Sequence, residues 1–569
     1  MKRAAFAVLL LAISSAAFAQ QTQRYIVGMK SDAVHAAKRA VFADRITEEF
    51  QYLDSFVANL TDAEVQTLRS DPSVRYVESA DILFFALDAP AGAKRVTPLS
   101  HPANAQVTPY GVTMVNAPNL WPFAKGDGIN VAIVDTGIDY THPELKDHYQ
   151  GGFNATTGTN DPRDDDGHGT HVAGTIAAAD NGIGVVGVAP NVKIWAAKVL
   201  HPSAGGLVTG SNAEIAAGLN WVLSKKAEVG GNWIVNMSLG QCTDVSVGPQ
   251  CSTTPSFAIQ TACQSLADAG ALVFAASGND STATHIASVS YPAAFPNVIA
   301  VGAIDSTQKI AVFSNQGPEI ALAAPGVGVL SSFIVGKGVN AFLTTPNASI
   351  DDFALTASAK GTQSGQYVYC GLGATAADFP ASVKGNIALI QRGVATFNAK
   401  TKNALTAGAK AVVIYNCSIA ATPSTCASDA YGGWTLISKL GDGSDDPADL
   451  TFPWPVTVGI SYADGEALRT ASTASSLTAT TVTDDYETES GTSMACPHAV
   501  GVAALVWSVK PTASATAVKS ALFNSTTDLG TPGSDTTFGF GLLDAYAAAK
   551  LLNPAAFAVK ARLPGRRGH

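Results

Sequence analysis

Between residues 128 and 304 the chain alternates short apolar runs with stretches of helical length, and this alternation restricts the fold more than any other feature. GINVAIVDTGID (128–139) has an unbroken apolar run, VAIV, bounded by glycines and ending in Asp135. A continuous run, rather than one alternating with polar residues, marks a strand covered on both faces, as in a parallel sheet. NVKIWAAKVL (191–200), WIVNMSLG (233–240), ALVFAASGN (271–279) and VIAVGAI (298–304) repeat the pattern. DDDGHGTHVAGTIAAA (164–179), NAEIAAGLNWVLSKKA (212–227) and FAIQTACQSLADAG (257–270) lie between them with helical composition. Strand and helix in turn predict an α/β domain with a doubly wound, mostly parallel sheet. Ligands of such sheets bind outside the carboxyl ends of the strands, where Asp135 and Asn279 fall.

After IALAAPGVGVLSSF (320–333) the pattern breaks, and it resumes at Ser490. Residues 334–483 are rich in Thr, Ala and Gly and read as an inserted domain within a core of 110–333 and 484–552. GNIALIQRGVATFNAKTKNALTAGAKAVVIYNC (385–417) inside it reads as strand, helix, strand, with Gly408 ending the helix. Ahead of the core, residues 24–86 suggest a small ferredoxin-like α+β unit in β-α-β-β-α-β order, with strands at 24–30, 50–60 and 74–85. TDAEVQTLRSDP (61–72) has a helix N-cap and stops at Pro72. Residues 87–109 read as a linker and 553–569 as a flexible tail.

Lys2 and Arg3, the apolar run Ala4–Ile13 and Ala17-Phe18-Ala19 make 1–19 a secretory signal peptide. That run is short for a membrane span, so the chain is expected to be exported without an anchor. A monomer is expected. A formal charge of -10 spread along the chain argues against nucleic acid as a partner. Export permits disulfides, and of the seven cysteines Cys242 with Cys251 and Cys417 with Cys426 are close enough in sequence to close small loops. Cys496, three residues after Ser493, reads as a small buried residue.

ESGTSMACPH (489–498) precedes an apolar helix that ends at Pro511, so Ser493 stands where the free N–H groups of a first turn and the helix dipole favour a developing anion. His168 and His171 could share a metal on one helix face, but no third ligand accompanies them and zinc is not expected. An acid at a strand end, a histidine at a helix start and a serine at a helix start, each beside glycine, supply the parts of a Ser-His-Asp triad.

IVDTGID around Asp135, DGHGTHVAGT around His168, AASGN ending in Asn279 and GTSMACPH around Ser493 resemble, in that order, the signature segments of subtilisin-like serine proteases; GVVGVAP (184–190), NMSLG (236–240) and GFGLLDA (539–545) extend the resemblance. It implies a subtilisin-like fold and a secreted endopeptidase. Ser493 would be the nucleophile, His168 the general base, Asp135 its orienting acid, and Asn279 an oxyanion donor beside the Ser493 N–H. It further implies protein substrates bound as an extended strand between Ser238–Gly240 and an edge near Gly206–Val208. The specificity pocket would be walled by Ser238, Leu239, Gly240, Ala275, Ala276, Ser277 and Gly278, with Ser290 where the family often has glycine and with Ser277 and Gln241 departing from the commoner small residues. A structural Ca2+ ion, with no cofactor for catalysis, would be held by Asn181, the carbonyls of Ala179, Ile183 and Val185, and Glu144 in place of the usual Asp. The run 160–166 is a second oxygen-rich candidate. Residues 24–86 resemble an inhibitor-type propeptide that the enzyme removes by cutting within 87–109. Residues 334–483 resemble a protease-associated (PA) domain. Two other readings use the same residues: a degenerate PA-containing binding protein, and an esterase on the same triad.

Overall fold

The computed structural model describes residues 22–87, 105–203, 207–242, 252–282, 284–350, 352–417, 434–438, 446–471 and 476–558. The expected signal peptide, most of the expected linker, most of the tail, Cys251 and Cys426 lie outside them. The chain divides into two compact units, one ending at Ala80 and the other comprising Phe50–Leu53 and everything from Asp81 onward.

The first unit is a four-stranded sheet of Gln23–Met29, Ile46–Phe50, Ser55–Leu60 and Val74–Ser79, with helices Asp32–Phe42 and Asp62–Ser70. The strand order is second, third, first, fourth, and the first strand is antiparallel to both of its neighbours. Thr61 and Glu64 cap the second helix reciprocally, the Thr61 side chain accepting from the Glu64 N–H and the Glu64 carboxylate from the Thr61 N–H. ITEEF (46–50) is an edge strand that its acidic residues concealed: the sheet recruits it by pairing, which outweighs intrinsic preference. VRYVESADILFF is also not one strand. Val74–Ser79 stays in this sheet, whereas Leu83–Ala86 belongs to the second unit.

The second unit is built on a seven-stranded sheet in the order Ile320–Pro325, Ile299–Ile304, Leu272–Ala276, Asn232–Met237, Ile129–Asp135, Lys193–Lys198, Tyr149–Asn154. Every pairing within it is parallel. Ile129–Asp135 is buried at every residue, as a strand covered by helices on both sides must be. It is first in sequence yet lies inside the sheet, so strand order reverses beside it and its carboxyl end, Asp135, opens at the switch point. YQGGFN (149–154) forms the far edge and has no apolar run to announce it. The helix Thr492–Val509 is apolar and long enough to cross a membrane by length and composition, but 89% of that window is buried inside the protein, and Val500, Leu505 and Trp507 share one core cluster with Ile133, Val172 and Phe274.

Residues 338–484 carry a separate eight-stranded sheet. Its centre is Ile387–Gln391, Ala411–Tyr415 and Val456–Ile460, mutually parallel, with the helix Phe397–Thr406 between the first two. Leu389, Val413 and Val458 lie in one apolar cluster of this sheet, and Ala388, Val412 and Ile414 in another. The alternate residues of each strand therefore bury opposite faces.

Candidate active site

Asp135 and His168 meet at the switch point. Asp135 Oδ1 accepts from the Thr136 backbone N–H at 2.7 Å and lies 2.7 Å from His168 Nδ1, both side chains being buried. A carboxylate against Nδ1 keeps the proton on that nitrogen and leaves Nε2 as the basic one. Gly169 is needed for this approach, since a Cβ there would stand 2.1 Å from the Gly137 carbonyl oxygen. Asp164 holds the start of the histidine helix, accepting from the N–H groups of Asp166, Gly167 and Thr170 and from the Thr170 hydroxyl. That is the favourable position for an anion relative to the helix dipole. Buried Lys198, opposite Asp135 in the next strand, donates to Thr136 O at 2.7 Å and to Asp165 at 2.6 Å. Asp164 and Asp165 of the run 160–166 are thus occupied by N–H, O–H and ammonium donors at the histidine turn.

Ser493 is the second residue of its helix. Pro497, four positions on, has no N–H, which deprives the Ser493 carbonyl of its helical donor. The Ser238 hydroxyl takes that place at 2.9 Å, and the Ser493 hydroxyl in return donates to the Ser238 carbonyl at 3.0 Å. The pair fastens the serine to the edge Leu239–Gln241. Asn279 Oδ1 accepts from the Thr492 N–H at 2.9 Å and the Thr492 hydroxyl at 2.8 Å. Both lone pairs are engaged, so the amide is turned with Nδ2 outward. Thr492 escaped sequence reasoning. The signal was its place immediately before the serine.

Nδ2 of Asn279 donates to the carbonyl oxygen of Leu87 at 2.6 Å. Leu83–Ala86, just before Leu87, lies antiparallel between Leu239–Gln241 and Val208–Ser211, with Phe85 opposite both Gly240 and Thr209. Leu83–Phe85 pair with Thr209–Ser211, directly after the edge expected near Gly206–Val208; 204–206 are outside the described residues. A Cβ on Gly240 would come 3.0 Å from Leu87 Cδ2, so glycine leaves room there for the leucine side chain. Ala275, Ala276, Ser277 and Gly278 continue the buried wall. Ser290 is brought beside Gly278, where an added Cβ would meet Ser290 Oγ at 2.5 Å. Asn315, also missed in the sequence, braces this corner by donating to Ser290 Oγ at 3.3 Å and Ser288 O at 2.9 Å and accepting from Asp280 N at 2.7 Å.

The residues expected around calcium come together but do not fit a cation. Glu144 Oε1 accepts from the Tyr486 hydroxyl at 2.8 Å and the Val185 N–H at 3.2 Å, and Oε2 from Asn181 Nδ2 at 3.0 Å. The Asn181 oxygen accepts from Ile183 N, and the carbonyls of Ala179 and Val185 accept from Gln106 Nε2. The loop is closed by donors, with the Tyr486 hydroxyl on the glutamate. No group of three or more His, Cys, Asp or Glu gathers elsewhere among the described residues. Burial pushes the Glu144 carboxyl up to about 7 against the pull of its donors. The folded state thus holds this proton more tightly than the unfolded one, so the resulting stability is complete below about pH 4.5 and is lost as pH rises through about 7. Thermal melts between pH 5 and 8, in an inactive Ser493→Ala background that cannot digest itself, should show a steeper loss of Tm with Glu144 than with Glu144→Gln. Equal slopes would remove this assignment.

His171 is buried, its Nε2 bonded to Val329 O at 2.9 Å, and burial pulls its imidazole down to about 3. The Cys496 thiol is free, buried and raised by burial, which leaves it unreactive. Cys263 and Cys370 are also free, whereas Cys242 and Cys417 are disulfide-bonded.

A strand laid between two edges, its last carbonyl on a fixed amide beside a serine, is how an enzyme presents a peptide bond for attack, and the class of protein so defined is an α/β serine hydrolase acting on polypeptides. The subtilase family model matches residues 126–375 and 385–541, and the chain belongs to that family as a subtilisin-like serine endopeptidase. It is 36% identical over 318 residues to subtilisin E of Bacillus subtilis, spanning 54% of this chain and 73% of that one. It is 38% identical over 289 residues to an alkaline protease of Alkalihalobacillus alcalophilus, spanning 51% and 64%. The crystal structure of the psychrophilic subtilisin-like protease Apa1 from Pseudoalteromonas sp. AS-11 superposes with a TM-score of 0.55 at 28% identity, covering 79% of this chain and 99% of that one. The subtilisin-like α/β fold and its largely parallel sheet follow.

Proposed function

We propose that the chain is a secreted zymogen that cuts itself after Leu87 and then hydrolyses proteins through Ser493, His168 and Asp135. The observation that carries this reading is the pose of Leu83–Leu87: both edges paired, the leucine carbonyl on Asn279 Nδ2 at 2.6 Å and its side chain against Gly240. It is the pose expected of the strand that precedes a scissile bond, and it supports placing the cut, expected within 87–109, at the bond following Leu87.

Catalysis begins when the Ser493 hydroxyl turns from Ser238 O to His168 Nε2 and gives up its proton as the oxygen adds to the substrate carbonyl. Asp135 stabilises the imidazolium and keeps the ring oriented. Asn279 Nδ2 and the Ser493 N–H hold the oxyanion. His168 returns the proton to the leaving amine, and water then releases the acyl group by the same route. No cofactor enters these steps. Residues 1–19 serve as the export signal, 24–86 as an inhibitor-type propeptide with a ferredoxin-like fold, and 334–483 as a PA domain beside the cleft. The mature enzyme works as a monomer on extended polypeptides.

Export of the full chain, N-terminal sequencing of the product and labelling with a fluorophosphonate test the reading together. The expected result is an N-terminus at Asp88 and a label on Ser493. A product that retains Leu83–Leu87, or labelling elsewhere, overturns it.

A further inference from the structure

The chain enters and leaves the eight-stranded sheet through two short strands, Val329–Ser332 and Tyr486–Glu489, which pair antiparallel with Val329 opposite Glu489 and Ser332 opposite Tyr486. This stem lies on the helix that carries His168. Val329 O is bonded to His171 Nε2 at 2.9 Å, Ser331 Oγ donates to His171 O at 2.8 Å, and Ser332 Oγ donates to Thr170 O at 3.0 Å. Phe333 completes the row. Its ring fills the space above Gly167, where an added Cβ would stand 2.0 Å from Phe333 Cζ. Gly167 has φ of 117° and is the residue immediately before His168. Glycine is thus required there both by its backbone and by the ring.

The stem is held at its far end too. Phe333 N donates to Asp485 O at 2.7 Å, Val335 N to Asp139 Oδ2 at 3.1 Å and Gly336 N to Asp485 Oδ1 at 2.7 Å. The returning strand runs within a few residues into the serine helix, where Ser490 Oγ accepts from Gly328 N at 2.8 Å and Gly491 N donates to Gly326 O at 2.8 Å. The stem therefore spans from the turn that presents His168 to the turn that presents Ser493.

Resting on the triad reading above, we propose that this stem, through the Phe333 ring on Gly167, is a positioning element for His168, so that the seating of the inserted sheet sets the turnover rate and leaves substrate binding alone. Phe333 touches no reacting atom; it acts by holding the backbone from which the imidazole projects. Proton transfer is sensitive to displacements well under the length of a hydrogen bond, whereas the binding edges Leu239–Gln241 and Val208–Ser211 lie elsewhere in the fold.

The test uses the full chain carrying Phe333→Ala and Phe333→Leu, with active sites counted by fluorophosphonate titration and kcat and KM measured on a peptide amide across pH. Per titrated site, kcat should fall roughly tenfold in Phe333→Ala and only about two- to threefold in Phe333→Leu, with KM within about twofold of wild type. The acid limb of the kcat profile, which reports the histidine, should move in step with kcat. If Phe333→Ala fails to mature, Phe333→Leu alone decides. Wild-type kcat per site, or a loss shared equally with KM, overturns the positioning role while Ser493 labelling of the parent keeps the triad reading intact. Absence of label in the parent overturns the triad reading itself.

Discussion

Ser493→Ala is expected to yield an uncut precursor with no measurable turnover. On the proposed mechanism the Ser493 hydroxyl is the nucleophile, and its neighbours among the described residues are unsuited to replace it: Cys496 is buried with its thiol raised, and the Ser238 hydroxyl is committed to the Ser493 carbonyl at 2.9 Å. The expected loss in kcat is roughly 10^6-fold, the size known for subtilisin itself and carried over rather than deduced from these distances. The structural consequence is sharper. Leu83–Ala86 is a full member of the cleft sheet, paired on both sides, so a chain that cannot cut after Leu87 should keep that strand in place and block its own cleft. Intact mass of the exported product checks this. Normal processing of purified Ser493→Ala, with no wild-type enzyme present, would show that another protease matures the chain.

The parts of the fold that the sequence disclosed are those where one residue type has one physical use. VAIVD could only be a buried strand, and it ends at the switch point because the alternating pattern places it first. Asp135, His168, Asn279 and Ser493 stood out because each is polar, lies within two residues of a glycine and sits at the end of a strand or the start of a helix. What stayed hidden depends on partners distant in sequence. ITEEF becomes a strand by pairing, and the break between Ser79 and Leu83 appears only because the second unit offers two open edges. Thr492 and Phe333 work through contacts more than a hundred residues away, with Asn279 and Gly167, and Asn315 reaches Ser290 across 25 residues; the sequence gives no sign of these contacts. The donors that meet the expected calcium ligands were hidden for a similar reason. The loop ADNGIGV does gather around Glu144, but the Tyr486 hydroxyl that occupies the carboxylate comes from beyond the inserted sheet. Its position in the chain gives no hint of that contact.

Asn279→Ala should lower kcat by about 10²–10³ with little change in KM, again the size found for the corresponding subtilisin amide and not a value drawn from this geometry. The network around it explains why the effect should fall on kcat. Asn279 Oδ1 takes both the N–H and the hydroxyl of Thr492, at 2.9 and 2.8 Å, so the amide is aimed before substrate arrives and costs nothing to orient during reaction. What it meets in the ground state is a neutral carbonyl, as with Leu87 O at 2.6 Å. In the transition state the same atom carries a negative charge, and a charge-assisted hydrogen bond is roughly twice as strong as a neutral one. Binding by the strand edges survives the substitution because it uses backbone pairing to Leu239–Gln241 and Val208–Ser211. Thr492→Val should give a smaller loss of the same kind, since it removes one of the two bonds that aim the amide and leaves the backbone N–H. Kinetics of both variants on one peptide amide check the argument, because the amide presents a neutral carbonyl to Asn279 until the transition state. kcat should drop steeply in Asn279→Ala while KM stays within about twofold, and a parallel loss in both would mean that Asn279 serves binding rather than the transition state.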